Sequence, residues 1–172
     1  MPKALTQVAV QMFSRCLVVA MAAVVPAMAE PRIEGRVVGV SDGDTITLLT
    51  TENQQIKVRL AEIDAPEKAQ AFGNKSKQSL SDICFKKVAL LDVQDVDRYG
   101  RTVARVMCAD VDANAEQVKR GFAWVYDRYV KDQSLYSIQS DARENSRGLW
   151  RDAVPIPPWE FRRYAKQKRD VS

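Results

Sequence analysis

Lys57-Val58-Arg59-Leu60-Ala61-Glu62-Ile63-Asp64-Ala65-Pro66-Glu67 is the stretch on which the fold turns. Ile56, Val58 and Leu60 alternate with Gln55, Lys57 and Arg59, which gives a strand with one apolar and one charged face. Pro66 lacks a backbone donor and biases Ala65 away from helix, so the strand is expected to stop near Asp64. A cation on a stiff strand is followed closely by two carboxylates on a fixed turn. That arrangement suits a metal held against a phosphate, and on its own it also fits an ordinary strand with a solvated face.

The segments around this stretch extend the pattern. Arg32 to Val40 reads as a first strand, and Ser41-Asp42-Gly43-Asp44 as a hairpin turn. Thr45 to Thr50 reads as a second strand, rich in β-branched residues. A helix is expected from about Asn74 to Cys84, strands at Val88–Val93 and Arg101–Cys108, and a turn at Asp95–Gly100. Asn114 is a candidate N-cap for a helix running to Arg120, and Gln133 to Asn145 has a helical apolar stripe. Pro155, Pro157 and Pro158 are expected to end regular structure. Five short strands with a helix between the third and fourth predict an α+β fold, a five-stranded OB-type Greek-key β-barrel with about three helices.

Composition narrows the chemistry. The chain contains no histidine, which excludes Ser-His-Asp and Cys-His catalysis and histidine-ligated zinc hydrolysis. Any hydrolysis must use carboxylates and arginines, with or without a hard cation. Residues 1–29 read as a signal peptide: Lys3 and Arg15 precede an apolar run from Cys16 to Val25, and Ala27-Met28-Ala29 is a small-x-small cleavage site. The run is shorter than the roughly 20 residues a membrane span needs. Its removal takes away Lys3 and Arg15, so the net charge of +4 falls by two to +2. The domain organisation expected is therefore leader 1–29, barrel domain 30–152, and a Pro-containing basic C-terminal tail 153–172. Arg162, Arg163, Lys166, Lys168 and Arg169 make that tail basic, which reads as a solvated charged end ahead of a binding site. The exported product retains Cys84 and Cys108, which fits one disulfide or two buried thiols.

Three motifs in order resemble the staphylococcal nuclease (thermonuclease) family. They are Asp42-Gly43-Asp44-Thr45, Val58-Arg59-Leu60 with Ile63-Asp64-Ala65-Pro66-Glu67, and Asp97-Arg98-Tyr99-Gly100-Arg101. Phe72-Gly73, Gly121-Phe122-Ala123 and Gly148-Leu149-Trp150 add weaker matches. The resemblance implies a Ca2+-dependent endonuclease that acts on DNA and RNA with little sequence specificity and leaves 3′-phosphorylated products. It implies Asp44, Asp64 and the Ala65 backbone carbonyl as calcium ligands. It implies Glu67 as the catalytic carboxylate, and Arg59 and Arg101 as phosphate-binding arginines. Oxygen-only ligands also suit manganese or magnesium.

Further expectations concern the substrate. Tyr99 is expected near the nucleotide phosphate and Tyr126 or Tyr129 against a base, although Phe122, Trp124 and Tyr126 also read as core positions. The substrate is expected to be single-stranded or frayed, the protein a monomer, exported to periplasm or medium, without stable membrane association. A non-catalytic nucleic-acid-binding module on the same barrel is the alternative. The intact set Asp44, Arg59, Asp64, Glu67 and Arg101 favours the enzyme.

Overall fold

The computed structural model of the chain describes residues 32–170. The leader and its cleavage site lie outside the described residues. Strands β1 (Ile33–Asp42), β2 (Thr45–Thr50) and β3 (Gln55–Leu60) form an antiparallel meander. After α1 (Gly73–Cys84), strands β5 (Val88–Val96) and β6 (Thr102–Cys108) form a second hairpin. The order β3-β2-β1-β5-β6 closes on itself because β3 also pairs, in parallel, with β6. The result is a closed five-stranded barrel of OB type, as expected.

Closure needs a strand that bends. β1 pairs β2 along most of its length and β5 through Ile33–Arg36, with register shifts at Val37/Gly39 and Val40/Asp42. Such irregularities bend a strand and increase its twist. Inward-facing Val37, Ile46, Leu48, Val58, Leu91 and Val106 are fully buried and fill the barrel. α1 covers one end with Leu80 and Ile83, and its Cys84 is joined to Cys108 of β6 by a disulfide, S–S 2.05 Å.

Three local readings are corrected. The third strand does not reach Asp64. It stops at Leu60, and Glu62, at φ +67°, turns the chain into a separate short strand, β4 (Ile63–Asp64). The alternation does switch here, since Glu62 falls in step with Ile56, Val58 and Leu60 while Ile63 falls in step with Lys57 and Arg59. β4 pairs with β8 (Trp124–Val125), placing Asp64 opposite Trp124.

The second correction concerns α2 (Ala113–Lys119), which follows the two-residue strand β7 (Val111–Asp112). Its N-cap is Asp112, whose carboxylate accepts from the Ala115 N–H at 3.0 Å. Asn114 is instead buried: it accepts from Val106 N at 3.0 Å and donates to Ala61 O at 2.8 Å. It thereby ties the end of β3 to β6.

The third correction concerns the C-terminal region. After α3 (Ser134–Glu144) and a 3-10 turn (Gly148–Arg151), the prolines do not end regular structure. Pro158 begins a further helix, α4 (Pro158–Asp170), at the position where a missing N–H costs nothing. Trp159 of α4 joins a small second cluster with Trp124, Leu149 and Trp150. No helix among the described residues is long and apolar enough to cross a membrane.

The disulfide closes a loop with a sequence separation of 24. Reduction is expected to lower the unfolding free energy by about 3–4 kcal/mol. Urea unfolding of oxidised and reduced protein checks this, and coincident curves would remove the stabilising role.

Candidate active site

The site is built where the β1–β2 turn meets the loop after β4. Gly43 makes that meeting possible, since a Cβ there would collide with the Ser76 hydroxyl and press on the Ala65 methyl. The buried Gln117 amide holds the turn from behind by donating to Gly43 O at 2.6 Å. Asp44 is consequently buried against Ala65, whose N–H donates to its Oδ2 at 2.7 Å. Thr45 Oγ1 donates to the other oxygen at 3.1 Å.

Arg59 ties this turn to Asp64. Its Nη2 lies 3.1 Å from Asp44 Oδ2 and 2.9 Å from Asp64 Oδ1. Its Nη1 donates to Leu60 O at 2.7 Å and Ile63 O at 2.9 Å. The Arg59 side chain is only 14% exposed. Both terminal nitrogens are thus committed to the protein, and the side chain works first as a clamp on two carboxylates. Glu67 lies on the next turn and is 41% exposed, open to solvent where the two aspartates are not.

A helix that sequence reasoning assigned to a solvated tail completes the cluster. Arg162 of α4 reaches Asp64 Oδ2 through Nη2 at 2.7 Å and Glu67 Oε1 through Nη1 at 2.7 Å, with Asp64 Oδ1 at 3.3 Å from Nη1. The available signal was the helical i, i+3 spacing of Trp159 and Arg162, which puts an aromatic anchor and a cation on one face.

The donor set fits a hard cation. Asp44 and Asp64 carboxylates bond the same guanidinium nitrogen, so their oxygens lie no more than about 6 Å apart. Burial pushes the Asp44 pKa up to about 7; Arg59 opposes the rise, Asp42 and Asp64 add to it, and the Ala65 N–H opposes it. A cluster short of positive charge is one that a divalent ion relieves. No complete cage of three or more acidic, histidine or cysteine side chains exists among the described residues. The set instead suits an ion that takes two carboxylates from the protein and the rest of its shell from other oxygens, water and phosphate.

The other expected residues stand further out. Arg101 leads into β6 two residues before Val103, the ladder partner of Arg59. Its Nε donates to Asp97 Oδ2 at 2.7 Å, and the exposed Tyr99 ring lies 5.5 Å from its guanidinium. Tyr126 follows β8, and its ring stacks on Trp159 at 5.4 Å with planes 3° apart, while Tyr129 meets it edge-on at 5.1 Å. One face of Tyr126 is therefore covered by α4 rather than open to a base. Tyr129 is exposed.

The family described as staphylococcal nuclease homologue matches residues 57–152. An endonuclease of Haemophilus influenzae, named only as uncharacterized, is 50% identical over 131 residues, which is 76% of this chain and 74% of the relative. The chain belongs to the staphylococcal nuclease family. A micrococcal nuclease of Shigella flexneri is 41% identical over 153 residues, 83% of this chain and 86% of that one. Protein ParB of Escherichia coli is 39% identical over 156 residues, 84% and 86% of the two chains. Membership makes the protein a nuclease, a hydrolase whose substrates are nucleic acids.

Within this nuclease, sequence reasoning missed Glu62. Its carboxylate is buried and accepts from Lys131 N at 2.9 Å, Asp132 N at 2.7 Å and the Gln94 amide at 3.0 Å, with Arg105 at 3.6 Å. Its own carbonyl accepts from Tyr126 N at 2.8 Å. One residue thus fixes the Tyr126–Asp132 loop against β4. Burial alone would raise the Glu62 pKa. The Asp132 N–H, the Gln94 amide, the Lys131 N–H and the Arg105 guanidinium more than offset it, so it lies below the usual 4.5. A carboxylate with a lowered folded pKa contributes stability above its unfolded pKa and loses it as pH falls through the folded value. Glu62→Gln is therefore expected to cost about 2–4 kcal/mol near neutral pH. The difference from wild type should begin to shrink as pH falls below the usual 4.5 and vanish only once pH has passed the lowered folded value. Urea unfolding across that pH range tests this; a pH-independent difference would remove the ionised network.

Proposed function

We propose that the chain is an exported, calcium-dependent endonuclease that hydrolyses phosphodiester bonds of DNA and RNA with little sequence specificity, leaving 3′-phosphorylated products. The observation that carries this reading is the convergence of buried Asp44 and Asp64 on one guanidinium, with accessible Glu67 at the mouth. Asp44, Asp64 and the Ala65 carbonyl would hold the ion, which supplies Lewis-acid polarisation and a template for the phosphate when bound. Glu67 orients the attacking water or takes its proton, in a site without histidine. The water oxygen bonds to phosphorus, the bond to the 5′ oxygen breaks with that oxygen taking a proton from solvent water, and the phosphate stays on the 3′ oxygen. Arg101, a planar donor just before β6, and Arg59, through its charge on the paired strand β3, stabilise the charge that builds on the phosphate oxygens.

A basic groove supports the nucleic-acid partner. It holds about 310 Å³ and is lined by Phe72, Phe122, Lys75, Arg120, Arg147 and Arg151. Cations there suit backbone phosphates and the two rings suit bases, so a single strand or frayed duplex is the fitting substrate. Export rests on the leader in the sequence and is supported by the closed disulfide, which belongs to oxidising compartments. After leader removal the domain acts as a soluble monomer.

Degradation of single-stranded DNA by residues 30–172, with calcium or chelator, tests the reading. Glu67→Gln is expected to lower kcat by on the order of 10²–10⁴ with calcium binding retained. Arg101→Ala should lower it by about 10²–10³. Cleavage that survives chelator or the Glu67 variant would overturn the mechanism. For the groove, Lys75→Gln with Arg151→Gln should weaken single-strand binding uniformly across sequences. The double variant should also flatten the salt dependence of log K by about 1.4. An unchanged slope would take the groove out of the binding path.

A further inference from the structure

The nuclease carries its own occupant of the cation position. Asp64 has two carboxylate oxygens, and arginines engage both. Oδ1 accepts from Arg59 at 2.9 Å and lies 3.3 Å from Arg162; Oδ2 accepts from Arg162 at 2.7 Å. A cation that takes Asp64 as a ligand meets both of these guanidinium charges at contact distance and competes with them for the carboxylate. Arg59 is the harder to move: it is 14% exposed and also held by the carbonyls of Leu60 and Ile63. Arg162 is 43% exposed, its hydrogen bonds run to the two carboxylates, and it sits on the last helix.

The same helix covers the neighbouring aromatic surface. Trp159, one turn before Arg162, lies flat on Tyr126 and edge-on to Trp124 at 5.9 Å. Gln70 Nε2 donates to Ile156 O at 2.6 Å and fixes the segment leading into α4. Beyond Arg162 the helix is exposed, so its hold on the barrel concentrates in these few contacts. α4 also lies outside the 57–152 stretch that matches the family.

We infer that α4 is a built-in competitor of the divalent cation: Arg162 holds Asp64 and Glu67 while the site is empty of metal, and metal binding at Asp64 drives α4 to release them. The inference rests on the metal site proposed above. Two like charges cannot share one carboxylate pair without mutual repulsion, so helix docking and cation binding are linked equilibria with opposite sign. The apparent cation affinity is the intrinsic one reduced by the fraction of molecules in which α4 is released. Release frees Glu67 from its ion pair at the moment the cation arrives and uncovers the Tyr126 face.

Calcium titration by calorimetry on the full exported chain tests this without a turnover assay. Arg162→Gln is expected to bind calcium roughly three- to tenfold more tightly than wild type. Trp159→Ala, which removes no charge, is expected to shift affinity in the same direction. Arg163→Gln, which removes the same charge from an exposed neighbour, should leave affinity within about twofold. Calcium should also accelerate amide exchange across residues 158–170 of wild type. Equal affinity in wild type and Arg162→Gln would overturn the competition, as would tightening that Arg163→Gln reproduces in full. An unchanged affinity in Trp159→Ala, or exchange in α4 that calcium leaves alone or slows, would overturn the coupled release. Absence of calcium binding in every variant would overturn the metal-site reading, and the competition with it.

Discussion

Arg59 is where barrel closure and site chemistry become the same problem. β3 is held on both sides, antiparallel to β2 through Thr45 and parallel to β6 through Val103. The residue with those two neighbours sends its guanidinium to two buried carboxylates and two carbonyls. Removing one member of such a group strands the others in a low-dielectric interior, at a cost of about 3–5 kcal/mol. The clamp therefore fixes the path of the chain from Leu60 to Ala65 as firmly as it gathers negative charge. A site assembled this way is rigid before any ligand arrives, which is what a reaction limited by charge placement requires.

Around the clamp, polar side chains from distant parts of the chain do what apolar packing cannot. Asn114 binds β3 to β6, Gln117 holds the Asp42–Asp44 turn, and Glu62 anchors the loop carrying Tyr126 and Tyr129. Each satisfies backbone groups that the irregular segments around the barrel mouth would otherwise leave buried and unpaired. The left-handed φ of Glu62 costs energy, and its network of acceptor contacts offsets that cost.

The barrel was legible because its strands carry apolar alternation and the β1–β2 and β5–β6 turns carry Gly43 and Gly100, while the β2–β3 turn is marked only by its polar run Thr51 to Gln54. The two-residue strands β4, β7 and β8 are too short to show a period and exist only by virtue of their partners. Asp44, Arg59, Asp64 and Glu67 were legible as a set because they lie in two nearby segments bearing recognisable motifs. Glu62 and Asn114 were not: a lone polar residue next to a turn reads as solvated or capping, and burial depends on what the fold brings to it. Arg162 stands 98 residues from Asp64, behind three prolines and inside a basic run. Local rules assign such a run to solvent, and only docking through Trp159 reverses the assignment.

The division of labour between barrel and α4 has a practical consequence. Arg59 and Gly43 are set in a disulfide-braced barrel, where a change disturbs clamp or turn packing. α4 meets the cluster through Arg162 and the aromatic surface through Trp159. Changes of charge or length in that helix therefore act on access to the two carboxylates while the strand pairing beneath them is left as it is.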